Sequence, residues 1–405
     1  MTIGVGGSTP EQELANLTDM TLDIRPIEES EYQARILRAQ SLMKQNNIAA
    51  MYLDAGTNLY YFTGLKWYKS ERMVGAILPA EGELAFIAPY FEEGSLRDHM
   101  LIQGQFIGWQ EHESPYAVFA DTLTKLNITQ GQVAIDESAS FFIFDGLRKA
   151  APAMSYVNAD IITATCREQK SAAEIALMQR AKDMTLTVQK AAARILKPGI
   201  STREVSDFID QAHRKVGAKA GSSFCIVLFG LATSFPHGVK EAQILQENDW
   251  VLIDTGCLVQ GYNSDITRTY AYGQATDAQK RAWQAEKDAQ VAAFEQAQIG
   301  HSCGSVDEAA RRVLADYGFS PDYDLPGLPH RTGHGCGLDI HEWPYLVRNN
   351  PKPLSAGMVF SNEPMLVIEH QFGVRLEDHF YISEAGPVWF TEPAHSVDDP
   401  FGLNA

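Results

Sequence analysis

Basic residues are the scarce charge in this sequence. It has 33 lysines and arginines against 51 aspartates and glutamates, a formal net charge of −18 over 405 residues. That balance disfavours non-specific binding to nucleic acid or to an anionic membrane, since both require positive surface. Apolar runs are short too, and none approaches the roughly 18 residues of a membrane-spanning helix. Five cysteines, Cys166, Cys225, Cys257, Cys303 and Cys336, lie far apart without a CxxC pair. They read as free thiols in a reducing compartment rather than as a disulfide framework. The opening stretch MTIGVGGSTPEQELANLTDM has neither the basic segment nor the apolar core of a secretory leader. Together these absences give a cytoplasmic reading, with neither nucleic acid nor membrane as partner.

What is present is ordinary globular material, 45% hydrophobic and 21% charged, at a length that suits two or three domains. Residues 1–28 read as an N-terminal tail, mobile or lying along the surface. Residues 29–165 read as an α/β domain. EYQARILRAQSLMKQNN spaces Ile36, Leu37 and Met43 on one helical face, IAAMYLDAG follows as a buried strand, and MVGAILPAEGELAFIAP reads as a hairpin turning at Glu81–Gly82. VAIDES is a further strand and FFIFDGLRKA a helix. Near VNADIITATCREQKSAAEIALMQ the pattern becomes an extended piece followed by a long helix, and the domain spanning 166–405 begins there.

That second domain carries an internal echo. PGISTREVSDFIDQAHRKVG and IGHSCGSVDEAARRVLADYG share Gly199/Gly300, Ser201/Ser302, Val205/Val306 and Gly217/Gly318 at a constant offset of 101. Each reads as a helix opened by Ser and stopped by Gly. A histidine segment follows each (SFPHG, then RTGHGCG), and then an apolar hairpin bearing two carboxylates. The order of three elements, repeated, points to duplication and to hairpins that meet at a pseudo-twofold centre.

Those hairpins hold the chemistry. VLIDTGCLVQGYNSDITRTYAYG places Asp254 and Asp265 in a run that should be core. With an even loop around Val259–Gly261, the two carboxylates face each other about 4.5–5.5 Å apart. Glu363 and Glu377 are separated by fourteen positions, so the same facing requires an odd loop or a bulge. GHGCG frames His334 with glycines that let the backbone bend. A lone aspartate in a strand usually serves a turn, and a lone histidine is usually a satisfied polar residue. Four buried carboxylates with one imidazole are another matter, because unpaired they would repel and take up protons. Two divalent cations balance four carboxylates, leave room for a bridging hydroxide, and form a familiar hydrolytic pair. One imidazole with oxygen ligands suits manganese, cobalt, iron or zinc.

The ordered set IDTG…SDITRT, GHGCGLDIHEWP, SNEPM and GVRLED resembles the M24-type metallopeptidase family of prolidases, aminopeptidases P and methionine aminopeptidases. CREQKSAAEIALMQRA is similar to the segment that opens its catalytic domain, and DAGTNLYYFTGLKWYKSERM to the N-domain of the proline-specific members. The likeness covers nearly all of the chain after residue 30. It implies an α/β (α+β) fold: a creatinase-like N-terminal α/β domain and a pseudo-twofold "pita-bread" catalytic domain. It implies metal ligands at Asp254, Asp265, His334, Glu363 and Glu377. Asp265 and Glu377 would bridge the ions, with Asp254 on one and His334 and Glu363 on the other. His237 matches the histidine beside the substrate, His341 the one that steadies the tetrahedral intermediate, and Arg375 an arginine that orders the carboxylates. Glu363 would also move the proton to the leaving nitrogen.

The activity implied is hydrolysis of the Xaa-Pro bond of dipeptides, with manganese the ion expected first and a homodimer as the assembly. An Xaa-Pro amide lacks the N–H that peptidases use to dock substrates as strands, so its cleavage calls for a dedicated enzyme. Lys69 and Arg72 are candidates to meet the substrate carboxylate. The same resemblance leaves three alternatives: an Xaa-Pro aminopeptidase, an ectoine-type hydrolase and a dimethylsulfoniopropionate lyase.

Overall fold

The computed structural model describes residues 2–404, which divide into two compact units. One comprises residues 27–167, the other residues 168–404 together with residues 2–26.

The first unit is a six-stranded mixed sheet flanked by helices. Its strands are β1 (Ile48–Asp54), β2 (Gly75–Pro79), β3 (Ala85–Pro89), β4 (Gln105–Trp109), β5 (Gly131–Ile135) and β6 (Met154–Asn158), in the order β4-β3-β2-β1-β5-β6. The β2–β3 hairpin turns through Gly82, whose φ of 109° favours glycine. Two sequence expectations need correction here. In the helix Glu29–Gln45 the buried stripe is Tyr32, Arg35, Ala39 and Met43, while Leu37 is 66% exposed. Arg35 takes the inward position because its guanidinium donates to the Tyr61 carbonyl (2.9 Å) and lies 4.2 Å from the centre of the Tyr61 ring. The piece expected to be extended is the helix Asp160–Arg167. Asn158 starts it by accepting from the Asp160 N–H, and Ile162, Thr163 and Cys166 form its buried face.

The second unit contains the duplication. Each half begins with a long helix, Ala172–Arg194 capped by Ser171 and then Asp277–Gln296 capped by Thr276. A shorter helix follows, Thr202–Lys215 capped by Ser201 and then Cys303–Asp316 capped by Ser302. The loops before those shorter helices make corresponding backbone bonds. Gly199 N donates to Leu245 O and Leu245 N to Ile200 O; Gly300 N donates to Leu354 O and Leu354 N to His301 O.

In the first half β7 (Ser222–Phe229), β8 (Trp250–Val259), β9 (Tyr262–Asn263) and β10 (Ile266–Ala271) form a sheet ordered β10-β8-β7, with β9 extending the β8 hairpin. The second half contributes β11 (Gly333–Gly335), β12 (Glu342–Leu346), β13 (Val359–Asn362), β14 (Met365–Ile368), β15 (Phe372–Arg375), β16 (Asp378–Ser383) and β17 (Gly386–Trp389). Five of these are ordered β12-β11-β13-β16-β17, while β14 and β15 pair separately.

The halves are stitched through Thr267, Arg268 and Thr269. Glu377 N donates to Thr267 O (3.1 Å), Thr269 Oγ1 donates to Arg375 O (2.7 Å), and Arg268 meets Asp378 at 2.7 Å with both side chains fully buried. Residues 2–26 lie along this unit. Thr2 and Gly6 donate backbone N–H groups to Gly273 and Ala193, and the helix Pro10–Asn16 sets Glu13 against Arg194 at 2.7 Å. No helix among the described residues is long and apolar enough to cross a membrane.

Candidate metal centre and active site

Both acid-bearing hairpins deliver their carboxylates to one cavity of about 440 Å³. Asp254, Asp265, His334, Glu363 and Glu377 all line it, with His237, His341 and Arg375. The way each pair is delivered differs from the simplest expectation. The first hairpin turns through Gln260 and Gly261, both at positive φ, which is the two-residue loop that suits strand twist. Its register sets Asp254 opposite Thr267, so Asp265, two residues earlier, is a diagonal neighbour on the same face rather than a direct partner. In the second hairpin Ile368 pairs with Phe372 across a three-residue loop, an odd loop. Asn362 pairs with Asp378 and Met365 with Arg375. Glu363 and Glu377 occupy the rung between those pairs, where the ladder passes from one sheet to the other.

The glycines around His334 also act differently from the bend expected of them. Neither Gly333 nor Gly335 has a positive φ. A Cβ on Gly333 would run into the Ser361 carbonyl, and one on Gly335 into the Glu342 carbonyl. Glycine is needed because neighbouring strands approach too closely for a side chain. Into that tight frame His334 is locked by two bonds: its backbone N–H donates to Ser361 Oγ, and its Nδ1 lies 2.9 Å from Gly335 O. A carbonyl can only accept, so Nδ1 carries the proton and Nε2 presents its lone pair to the cavity.

Burial makes this cluster electrostatically unstable on its own. Burial, followed by the charges of Glu377, Asp254 and Glu363, pushes the Asp265 carboxyl well above its ordinary range. Burial and the charges of Glu363 and Asp254 do the same to Glu377. Asp254 is raised by burial, against the pull of Arg375, whose guanidinium meets its Oδ2 at 2.5 Å. For Glu363 burial is opposed and outweighed by His334, 3.0 Å away, so this carboxyl is held low. His341 reaches solvent, yet burial of part of its ring and the neighbouring His334 hold its pKa down at about 4. It is therefore neutral at pH 7.

Asp254 Oδ1, Asp265 Oδ1, Glu377 Oε1 and His334 Nε2 are buried without a hydrogen-bond partner. Buried polar atoms are rarely orphaned. Here four of them, all able to donate an electron pair, line one cavity. Ligand atoms of Asp265, His334 and Glu377 lie within 4.8 Å of one another. The donor set fits divalent metal.

Several residues of the site escaped the sequence reading. His330 and Arg331 line the cavity, as do Phe224, Ile226 and Ile340. His330 precedes His334 by four positions, and that spacing was the available signal. Gln189 and Gln290 are fully buried, and each ties a hairpin together beside its acids. Gln189 Nε2 donates to the carbonyls of Ile253 (3.0 Å) and Ile266 (2.9 Å). Gln290 Nε2 donates to those of Asn362 (3.3 Å) and Leu376 (3.1 Å). The offset of 101 relates this pair as well. Lys69 and Arg72 are engaged within the first unit: Lys69 donates to Ser138 O, and Arg72 pairs with Glu111 at 3.1 Å.

Comparison with known proteins agrees with this construction. Residues 176–384 match metallopeptidase family M24, and residues 35–169 match the creatinase/prolidase N-terminal domain. The chain belongs to metallopeptidase family M24, in its prolidase and aminopeptidase P branch. Among its relatives, a putative dipeptidase of Bacillus subtilis, YkvY, is 32% identical over 88% of this chain and 97% of its own. The dipeptidase PepE of Mycobacterium ulcerans superposes with a TM-score of 0.85 at 30% identity, covering 92% of this chain and 99% of that one. The prolidase of Thermococcus sibiricus does so at 0.82 and 29%, covering 89% and 97%. The family implies divalent metal ions, and the chain is a peptidase.

Proposed function

We propose that the protein is a metal-dependent Xaa-Pro dipeptidase that works in the reducing interior of the cell. The observation that carries this reading is the set of four orphaned donor atoms around one cavity. Relatives named dipeptidase and prolidase support the substrate class. In this reading Asp254, Asp265, His334, Glu363 and Glu377 would hold two divalent ions. When bound, such ions polarise the scissile carbonyl and make a neighbouring water acidic enough to attack near neutral pH.

The remaining work falls to side chains. Arg375 clamps Asp254 and also donates to Thr267 Oγ1 (3.1 Å) and Pro236 O (3.2 Å), which fixes that carboxylate's orientation. Neutral His341 donates an N–H to the oxyanion as it develops, and His237 approaches from the opposite half. Glu363 takes the proton of the attacking water and passes it to the leaving proline nitrogen. Manganese is the ion proposed first, and the active assembly is a homodimer.

The test is a panel of Xaa-Pro, Xaa-Pro-Yaa and Xaa-Ala peptides assayed with added manganese, cobalt or zinc. Cleavage of Xaa-Pro alone is the expected result. Cleavage of the tripeptide in preference would make the protein an aminopeptidase, and no cleavage of any peptide would defeat the reading.

A further inference from the structure

The proposed oxyanion donor has little to hold its own side chain. Among the described residues the His341 ring makes no side-chain hydrogen bond, and it leans on the His334 ring, 4.0 Å away between centres. Its placement is therefore set by the backbone of residues 337–341, which carries it into the cavity. Asn263, on the first-half hairpin, grips the start of that stretch. Its N–H donates to Gly337 O (2.9 Å), and its Nδ2 to Gly337 O (3.0 Å) and Leu338 O (2.9 Å). The far end is gripped by charge. Glu342, directly after His341, meets Lys170 Nζ at 2.5 Å, with the two side chains 7% and 1% exposed. Its other oxygen accepts from Asp339 N at 3.4 Å, inside the same stretch.

Lys170 is itself well anchored. Its own N–H donates to Gly357 O (2.7 Å), and the next residue, Ser171, caps the helix Ala172–Arg194. Gly337 lies against the pair, since a Cβ there would collide with Glu342 Oε1. Desolvation offsets much of the attraction between two buried charges, so such a pair adds little stability over apolar side chains of the same size. What it supplies here is a fixed separation between the head of a long helix and the residue beside His341.

We propose that Lys170 and Glu342 are positioning residues for His341: their ion pair holds the imidazole where the oxyanion of the substrate develops. This rests on the reading of His341 as the oxyanion donor of a peptidase. It adds which buried charges keep that donor in place, at a site where a misplacement of about 1 Å forfeits most of the benefit.

The experiment replaces both charges at once, K170M with E342M, so that no lone ion is left in the core. The urea midpoint should stay near that of the wild type. On an Xaa-Pro dipeptide with added manganese, kcat should fall about 10- to 100-fold while KM changes by less than about threefold. Metal content by elemental analysis should be unchanged. Placed on top of H341A, the same two substitutions should lower kcat by less than about twofold beyond H341A alone, because nothing is left to position. If the paired variant does not fold, E342D decides: it keeps the charge, shortens the tether by one methylene, and should lower kcat about tenfold with KM unchanged. Wild-type kcat in the folded paired variant or in E342D, a change confined to KM, lost metal, or an equal loss with and without His341 would each overturn the assignment. H341A with wild-type kcat would instead defeat the oxyanion reading, and a wild-type enzyme that cleaves no peptide the peptidase reading, both distinguishable from failure of the ion pair.

Discussion

The two halves of the catalytic unit repeat one backbone plan but fill it with different chemistry. At the offset of 101, buried Lys182 corresponds to buried Trp283, and buried His213 to buried Leu314. The first half packs polar groups against its hairpin: Thr185 Oγ1 lies 2.7 Å from Ser264 Oγ and 3.1 Å from His213 Nε2, and Lys182 Nζ donates to Asn263 O. The second half packs Trp283, Leu314, Phe360 and Phe380 into one apolar cluster. Gln189 and Gln290 are the exception, since both were kept where they brace the acids. Duplication preserved what positions carboxylates and let the surrounding core drift, which indicates that hairpin geometry at the cavity is the constrained feature.

The strongest way to break this comparison is to remove one central acid from each half. Asp265→Asn and Glu377→Gln should each lower peptidase activity by roughly 10³-fold, because in the proposed mechanism several kcal/mol of transition-state stabilisation depend on the ions these residues would hold. Metal content by elemental analysis should fall with activity in both variants. A variant that keeps full metal and full activity would show that its half does not build the centre.

Next come the glutamines. Gln189→Leu and Gln290→Leu each remove two hydrogen bonds to buried carbonyls, at about 1–1.5 kcal/mol apiece. Each variant should lose about 2–3 kcal/mol of stability in urea titrations, and the two losses should be similar despite the different cores around them. A large effect in one half alone would mean that the bracing is not equivalent.

Much of this was legible in the residues. The acids, His334 and the repeat announce themselves because carboxylates in apolar strands and glycine-stopped helices are costly or conspicuous without a reason. Register was less accessible. Whether Asp254 faces Asp265 directly or diagonally depends on which residues occupy the turn, and that was settled by Gln260 and Gly261 at positive φ. The glycines of GHGCG gave the right residue types for a reason that only neighbouring strands reveal. The buried stripe of the helix Glu29–Gln45 was hidden because Arg35, a residue expected outside, is held inside by Tyr61. Gln189 and Gln290 carry no local signal, since their roles depend on partners far away in the chain.

Buried His213, in the polar core of the first half, should make its own contribution to acid sensitivity. Burial holds His213 at a pKa of about 4, against an ordinary value near 6.5. Between those values the unfolded chain binds a proton that the folded chain refuses. Stability is therefore complete above about pH 6.5 and is lost as pH falls toward 4, by roughly 2–3 kcal/mol. His213→Gln should flatten that slope in urea midpoints measured from pH 7 to 4.5. Leu314 in the second half has nothing to titrate, so Leu314→Met should leave the slope as in the wild type. An unchanged slope in H213Q would remove His213 as the origin of acid sensitivity.

The smallest difference lies at the capping serines. Ser201 Oγ accepts from Glu204 N, and the Glu204 carboxylate accepts in return from Ser201 N at 2.8 Å, a reciprocal box. Ser302 accepts from Ser305 N (3.2 Å), and its neighbour three residues on is a serine that returns no such bond to the Ser302 N–H. Replacing a capping serine with alanine costs about 1 kcal/mol. Ser201→Ala loses the cap and uncouples the glutamate that answers it, so it should cost a few tenths of a kcal/mol more than Ser302→Ala. Paired urea titrations of the two variants measure this directly. A larger cost for Ser302→Ala would place the greater local dependence on capping in the half with the apolar core, the reverse of what the two polar environments imply.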